Sequence, residues 1–203
     1  MTSQANTDAK LPPIWLSWTL MTAVGAAIFG ALLTLAEGES RALFFWFLIG
    51  GLIVGWLEWR TLRLYRIPMG MIWCGVKAGM MLCLFGLIMV GLQFPFDGSA
   101  LVILPICGFA LDGTRWLLLR SHFPQAGRWL SFCALGWLLE VLVFYAAAML
   151  TFNLMNNFSI LFFVINGAIN GTWMGFCRGI ALTKMLGDRH QRTAATFAPT
   201  VSP

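Results

Sequence analysis

The sequence has very few charged residues, and this shortage excludes most soluble folds. Charged residues make up 10% of the 203-residue chain, whereas 59% of the residues are hydrophobic. Soluble domains carry roughly 25% charged residues. The composition therefore predicts that most of the chain lies in a lipid bilayer.

Histidines and paired cysteines are also scarce, which argues against a metal or cofactor site. The chain has two histidines and five cysteines, with no C-x-x-C pair and no Cys/His cluster. All five cysteines lie in apolar segments, where free thiols act as small hydrophobic side chains. The motifs H-E-x-x-H, G-x-S-x-G and the P-loop are missing as well. We therefore expect no metal, no cofactor, no catalytic residue and no enzymatic activity.

Apolar runs of spanning length, about 20 residues each, are what the sequence has in abundance. Six such runs are separated by turn or charge signals, such as those at 65–68, 95–98 and 153–157. The runs cover residues 15–36, 42–62, 70–92, 99–119, 128–151 and 158–186. This pattern predicts an all-α, polytopic membrane protein with one six-helix domain over 14–187. Disordered cytoplasmic ends are predicted at 1–13 and 188–203.

Cations and anions segregate between alternate connections. The second, fourth and C-terminal connections carry arginines and a lysine. The first, third and fifth carry Glu37, Glu39 and Asp97, with Arg41 as a single cation. The positive-inside rule then places both termini in the cytoplasm. We expect a multi-pass membrane protein. The net charge of +5 thus reports topology, and no basic stripe indicates nucleic-acid binding.

One residue frame occurs three times, near the ends of the even-numbered runs. It is a glycine, a glycine or aspartate four residues later, a charged residue three further on and a leucine four after that. The charged residues are Glu58, Arg115 and Arg178. The odd-numbered runs carry a weaker echo, a tryptophan near each start: Trp15, Trp73 and Trp129. These tryptophans and Trp18 also lie where an aromatic belt at the membrane surface is expected.

The frame predicts three parallel two-helix hairpin repeats. Their approximate bounds are 14–69, 70–126 and 127–187. The four positions of the frame share one helix face, and small residues at that spacing let helix backbones approach closely in lipid. We predict that these glycines pack helices together: Gly51, Gly55, Gly108, Gly167, Gly171 and Gly175.

The repeated pattern G-x-x-x-G-x-x-[QE]-W-x-x-L-R resembles a family of uncharacterised bacterial, cyanobacterial-type polytopic membrane proteins. The resemblance covers 50–63, 108–120 and 167–182, about a fifth of the chain. Glu58 and Arg115 stand here where the family has glutamine, and Asp112 stands in place of a glycine. The resemblance implies the architecture, and its bacterial, cyanobacterial-type members imply a location in the bacterial cytoplasmic (inner) membrane or the thylakoid membrane. It implies no activity, substrate or site residue.

Six ionisable residues lie within the predicted helices, where charges are costly and mark either packing or function. They are Glu58, Lys77, Asp112, Arg115, Glu140 and Arg178. All but Asp112 and Glu140 lie near enough to the cytoplasmic ends to reach the headgroups or to pair with one another. Asp112 can pair with Arg115, three residues further along its own helix. These six residues are the candidate intramembrane polar site.

Glu140 has no such explanation. It lies about eleven residues into the fifth run, near mid-bilayer at roughly 1.5 Å per residue. A carboxylate at that depth is protonated, paired or beside water. Its role is open between a packed, hydrogen-bonded residue and a functional group.

Two functional hypotheses follow from these patterns. The leading one is a non-enzymatic assembly or accessory subunit in the bilayer, whose glycine faces pack against another copy or a membrane-protein partner. Its basis is that the six intramembrane charges sum to zero and that no carrier motif is present. The alternative is a small solute, ion or proton translocator that uses Glu140 and Asp112. A water-accessible cavity at Glu140 would favour the translocator, and a dry, packed Glu140 would count against it.

Overall fold

Six α-helices make up the part of the chain that the structure describes. The structure is a computed structural model, and it describes residues 11–36, 39–91, 100–157 and 159–196. Its helices are α1 (Ile14–Leu33), α2 (Ser40–Leu64), α3 (Ile72–Gly91), α4 (Ala100–Arg120), α5 (Gly127–Asn157) and α6 (Ser159–Thr196). A short 3-10 turn, Thr34–Ala36, follows α1. The all-α prediction is confirmed.

The connection between α2 and α3 shows how local sequence ends a helix. The backbone amides of Arg66 and Ile67 bond to the carbonyls of Arg63 and Leu62, at 3.0 and 2.9 Å. This is the Schellman arrangement, which satisfies the free carbonyls at a helix end. It requires a left-handed residue, and Arg66 takes that conformation with φ 56°. Pro68 follows and keeps the chain from returning to a helix.

The last two helices are longer than the sequence predicts. The predicted break at 153–157 lies inside α5, and residues 188–196 of the predicted disordered tail continue α6. Residues 188–196 contain no proline or glycine and include alanines, arginines and a glutamine, which favour helix. Residues 11–13 of the predicted disordered N-terminus are exposed and precede α1 without forming a helix, and residues 1–10 and 197–203 lie outside the described residues.

Among the described residues, three helices have the length and hydropathy to cross a membrane. They are Ile14–Leu33, Arg41–Leu64 and Ile160–Gly187, and α3 contributes a shorter apolar stretch, Ile72–Gly86. Large apolar side chains are exposed on the outside of the molecule, among them Leu20, Leu52 and Leu138. Such a surface has no favourable contact with water and suits lipid. These helices indicate a membrane protein.

The helices close into a ring. Each helix packs against its neighbours in the chain, and α6 also packs against α1. The contact between α1 and α6 is the most extensive one among the described helices. The first and last helices of the chain are therefore neighbours, and the ring surrounds a common interior.

Glycines bring the backbones of neighbouring helices together. A Cβ atom on Gly167 would lie 2.3 Å from the carbonyl oxygen of Ala26 in α1, and one on Gly55 would lie 2.9 Å from the Cα atom of Cys74 in α3. A Cβ atom on Gly108 would overlap the Trp137 ring of α5. The other predicted packing glycines lie in the same seams, α2 with α3 or α6 with α1: Gly51, Gly171 and Gly175.

Replacement of Gly167 by alanine is expected to destabilise the protein by about 1–3 kcal/mol, the usual cost of overpacking. The added methyl group meets the backbone of α1, which cannot move without opening the seam between α1 and α6. The measurement is the thermal unfolding midpoint of the detergent-purified protein, followed by far-UV circular dichroism.

Gly187→Ala is the matched control on the same helix, because a Cβ atom there has open space. Its midpoint should stay the same or rise, since alanine favours helix by up to ~1 kcal/mol. Equal effects of the two substitutions would contradict the close approach of α1 and α6.

Candidate functional site

One end of the ring is closed by a cluster of buried aromatic and aliphatic side chains. At its centre, Trp18, Trp73 and Trp129 from α1, α3 and α5 are fully buried. Their ring centroids lie 6.0, 6.1 and 6.3 Å apart, and each pair meets edge to face, which is a favourable geometry for aromatic rings. One fully buried leucine from each even-numbered helix belongs to the same cluster: Leu62, Leu119 and Leu182. We call this end the arginine-rich end, because the exposed arginines 60, 63, 66 and 120 surround it.

The tryptophan cluster corrects two expectations. Trp18, and not Trp15, is the counterpart of Trp73 and Trp129, because Trp15 is 36% exposed and packs on Phe176 of α6. Trp18, Trp73 and Trp129 also do not form a belt at the membrane surface, since all three rings are in the core. Trp18, Trp73 and Trp129 are 55 and 56 residues apart, which is more uniform than the spacings measured from Trp15. That regularity is the sequence signal that identifies Trp18 as the equivalent residue.

Directly behind the tryptophans lies a buried ion pair between α2 and α4. Arg115 donates through Nη2 to Oε2 of Glu58 at 2.6 Å, and both side chains are 0% exposed. The indole Nε1 of Trp73 donates to the same carboxylate oxygen at 3.1 Å. Nζ of Lys77, from α3, lies 3.6 Å from the other oxygen. The guanidinium of Arg115 also lies over the Trp73 ring, 5.0 Å from its centroid, where a cation–π contact is favourable.

Asp112 forms the second half of this network. Its Oδ2 accepts a hydrogen bond from Nη2 of Arg178 at 2.7 Å and one from Nε1 of Trp137 at 2.8 Å. Its Oδ1 lies 3.6 Å from Nη1 of Arg115. Arg115 therefore lies between two carboxylates. We call these five paired residues the ion network: Glu58, Lys77, Asp112, Arg115 and Arg178. The ion network joins α2, α3, α4 and α6.

The network explains where five of the six predicted intramembrane charges lie. Each is at most 8% exposed, so these side chains pair with one another and do not extend to the headgroups. The charged positions in the residue frame face the interior of the ring, where partners of opposite charge are present. Sequence reasoning missed Trp73 and Trp137 as hydrogen-bond donors, although a buried indole N–H generally requires an acceptor.

A cavity of about 360 Å³ lies on the side of the network away from the tryptophan cluster. All six helices contribute to its walls, which are mostly apolar. Lys77 and Arg178 belong to the network and also line this cavity. Ligand pockets generally have volumes of roughly 300–1,000 Å³, so the space suits a small molecule.

Glu140 lines the cavity and does not join the ion network. Its side chain, on α5, is partly buried. Its Oε2 atom is buried and has no hydrogen-bond partner among the described residues. No salt bridge within 4.0 Å joins it to a described cation. A buried carboxylate oxygen without a partner is costly in a protein interior, and it therefore marks a place where a ligand or water is accommodated.

Nothing in the described part of the chain brings metal ligands together. Groups of three or more His, Cys, Asp or Glu side chains in metal-binding positions are not found in the described ranges. Cys74, Cys83, Cys133 and Cys177 are free thiols. Comparison of the chain with protein-family models, with curated proteins and with solved structures gave no match. The resemblance to a bacterial membrane-protein family therefore stays a prediction.

Glu58→Gln is expected to destabilise the protein by about 3–5 kcal/mol, the cost of breaking a buried ion pair from one side. The substitution leaves Lys77 and the fully buried Arg115 without the carboxylate that they share. The measurement is the thermal midpoint in detergent together with the monodisperse fraction after size-exclusion chromatography.

Glu39→Gln removes the same charge from an exposed position at the start of α2, and it should leave both quantities unchanged. Adding Arg115→Met to Glu58→Gln should recover part of the loss, because the second change removes the unpaired cation. A midpoint for Glu58→Gln equal to that of the control would show that the pair contributes nothing.

Proposed function

We propose that the chain is a six-span integral membrane protein that binds a small polar solute inside its helix ring and moves it across the bilayer. The observation that carries this proposal is the cavity bounded by all six helices, into which Glu140 brings a buried carboxylate oxygen without a partner. Each further part of the proposal has its own support in the packing of the helices.

Six spans are supported by helix length. The helices α3, α4 and α5, which complete the ring with the three long apolar helices, have 20, 21 and 31 residues. At 1.5 Å per residue, 20 residues extend over about 30 Å, the thickness of the hydrocarbon core. Because α6 packs against α1, a bilayer around the ring meets all six helices from outside.

Three parallel hairpin repeats around a pseudo-threefold axis are supported by the tryptophan cluster. Each pair of helices, α1 with α2, α3 with α4 and α5 with α6, supplies one of its central tryptophans and one of its buried leucines. Each pair also supplies one charged residue of the repeated frame to the ion network: Glu58, Arg115 or Arg178. Equivalent residues thus meet at the centre of the ring, as three rotated copies of one unit require.

The arginine-rich end faces the cytoplasm in this proposal. Exposed cations are concentrated there, and three of them stack on tryptophans one turn earlier: Arg60 on Trp56, Arg63 on Trp59 and Arg120 on Trp116. Aromatic rings with adjacent cations suit the boundary between lipid and headgroups. Both termini are then cytoplasmic, in the bacterial inner membrane or the thylakoid membrane.

Reporter fusions test this orientation. We expect green fluorescent protein to fluoresce when fused to either terminus, because it folds in the cytoplasm. Alkaline phosphatase at the same two positions should be inactive, because it requires export. Phosphatase activity at one terminus alone would exclude an even number of spans, and activity at both would reverse the orientation.

The assembly-subunit hypothesis stays a prediction, and the glycine packing changes where it is tested. The six glycines assigned to packing lie in seams within this chain, so they are not free to bind a partner. Gly75 and Gly79 of α3 have open space instead, and Cys83 is exposed on the same helix. Oxidative cross-linking of two copies through Cys83 is the measurement for that hypothesis.

Transport itself is tested with Glu140→Gln in reconstituted liposomes. The assay measures uptake of a panel of labelled amino acids, sugars and organic acids, and a pH-sensitive dye inside the liposomes reports protons. We expect at least one flux above that of protein-free liposomes, and we expect Glu140→Gln to lower it by about tenfold or more, equivalent to one lost polar interaction of ~1.4 kcal/mol.

The matched control is Leu138→Ala, on the same helix but 68% exposed on the outside of the ring. It should leave the flux unchanged. A flux that is equal in Glu140→Gln and in the original chain, or the lack of any flux across the panel, would overturn the proposed function.

A further inference from the structure

We infer that the cavity takes a small zwitterion, a molecule with one carboxylate, one ammonium group and an apolar body, as in the hydrophobic amino acids. This inference rests on the proposed function, because it names the class of solute that the cavity binds. It follows from the positions of the unpaired donors and acceptors, from the balance of charge and from the nature of the walls.

The end of the cavity next to the ion network offers cationic donors. Lys77 and Arg178 line the cavity and are 8% and 3% exposed. Nζ of Lys77 lies 3.6 Å from Glu58, farther than a hydrogen bond reaches. Nε of Arg178 is buried and has no hydrogen-bond partner in the part of the chain that the structure describes. A carboxylate is the acceptor that an ammonium and a guanidinium group bind most strongly.

Other positions in the cavity wall offer acceptors. Glu140 Oε2 and Asn170 Oδ1 are both buried, and neither atom has a hydrogen-bond partner among the described residues. The side-chain nitrogen of Asn170 donates to the carbonyl of Asn166 at 2.8 Å, which fixes the amide oxygen as the free end. A carboxylate oxygen and an amide oxygen suit an ammonium group, which has donors and no acceptor.

The balance of charge favours a ligand that is neutral as a whole. The ion network has three cations, Lys77, Arg115 and Arg178, and two carboxylates, and Glu140 brings the formal sum to zero. A ligand with a single charge would add an uncompensated charge to a mostly apolar cavity, and this is costly. A zwitterion adds no net charge and pairs with donors and acceptors at the same time.

The walls suit an apolar body of modest size. Met80, Leu111, Trp137 and Phe163 contribute to them, and burying apolar surface against such side chains is favourable by roughly 25 cal/mol per Å². The volume of about 360 Å³ is near the lower end of the usual range for ligand pockets. A single amino acid with an aliphatic or aromatic side chain satisfies both conditions.

The test compares leucine with analogues that lack one of its charges. The probes are leucine, isoamylamine as the cation, 4-methylpentanoate as the anion and 4-methylpentanamide as the neutral amide. Each is measured as a competitor of labelled leucine uptake into liposomes that contain the full-length protein. We expect leucine to compete at concentrations at least about tenfold lower than any analogue, since each analogue loses at least one charged contact.

Two single variants assign the contacts. Glu140→Gln should weaken competition by leucine and by isoamylamine, and it should leave competition by 4-methylpentanoate unchanged. Lys77→Gln should weaken competition by leucine and by 4-methylpentanoate, and it should leave competition by isoamylamine unchanged. Because Lys77 belongs to the ion network, Asn170→Ala provides a second variant outside it. Asn170→Ala should raise the leucine concentration required, with the thermal midpoint kept.

The outcomes separate the two proposals. If solutes of the panel enter in a Glu140-dependent manner but no zwitterion is among them, the proposed function stands and the zwitterion inference is wrong. Competition by an analogue at the same concentration as leucine also overturns the inference. If no solute of any class enters, both proposals fail together.

Discussion

The structure depends on one guanidinium group, that of Arg115, held between two carboxylates in the interior of the helix ring. Glu58 approaches it from α2 and Asp112 from its own helix, at 2.6 and 3.6 Å. An arginine in such a place stays charged, so the two carboxylates must lie beside it to balance its charge. Each carboxylate also accepts from donors on other helices. Through Glu58 and Asp112 the helices α3, α5 and α6 are attached by Lys77, Trp137 and Arg178.

The ion network also divides the interior of the ring. On one side the three tryptophans close the arginine-rich end with a core that excludes water, and on the other side the ring stays open enough for a cavity. Close contact between α1 and α6 continues on both sides of the network, through Gly167 and Gly171 on one side and Gly179 on the other. The division therefore comes from the three tryptophan rings that fill the centre of the ring on one side only. Glu140 lines that cavity from α5.

The helices and the identity of the polar residues were predictable from sequence, and the reason is local. A run of about 20 apolar residues forms a helix in lipid whatever it packs against, so the number and order of the helices follow from the pattern alone. The charged positions of the frame are likewise visible as spacings. The ends of α5 and α6 were not predictable, because asparagines and arginines are tolerated in a helix when the surrounding structure favours that helix. Trp15 and Trp18 both lie near the start of the run 15–36, and only their burial separates them.

The sequence by itself determined six helices, a frame of glycines with charges, and six ionisable groups whose charges sum to zero. It did not determine which of those groups neutralise one another. Pairing depends on which helix faces are neighbours, and that is set by contacts between residues far apart in the chain, such as Asp112 with Arg178 and Ala26 with Gly167. Only the tertiary structure decided that five charges form one network and that Glu140 is left at a cavity. The physical reason is that a charge is satisfied by whatever lies within a few ångströms of it, and sequence order does not specify that.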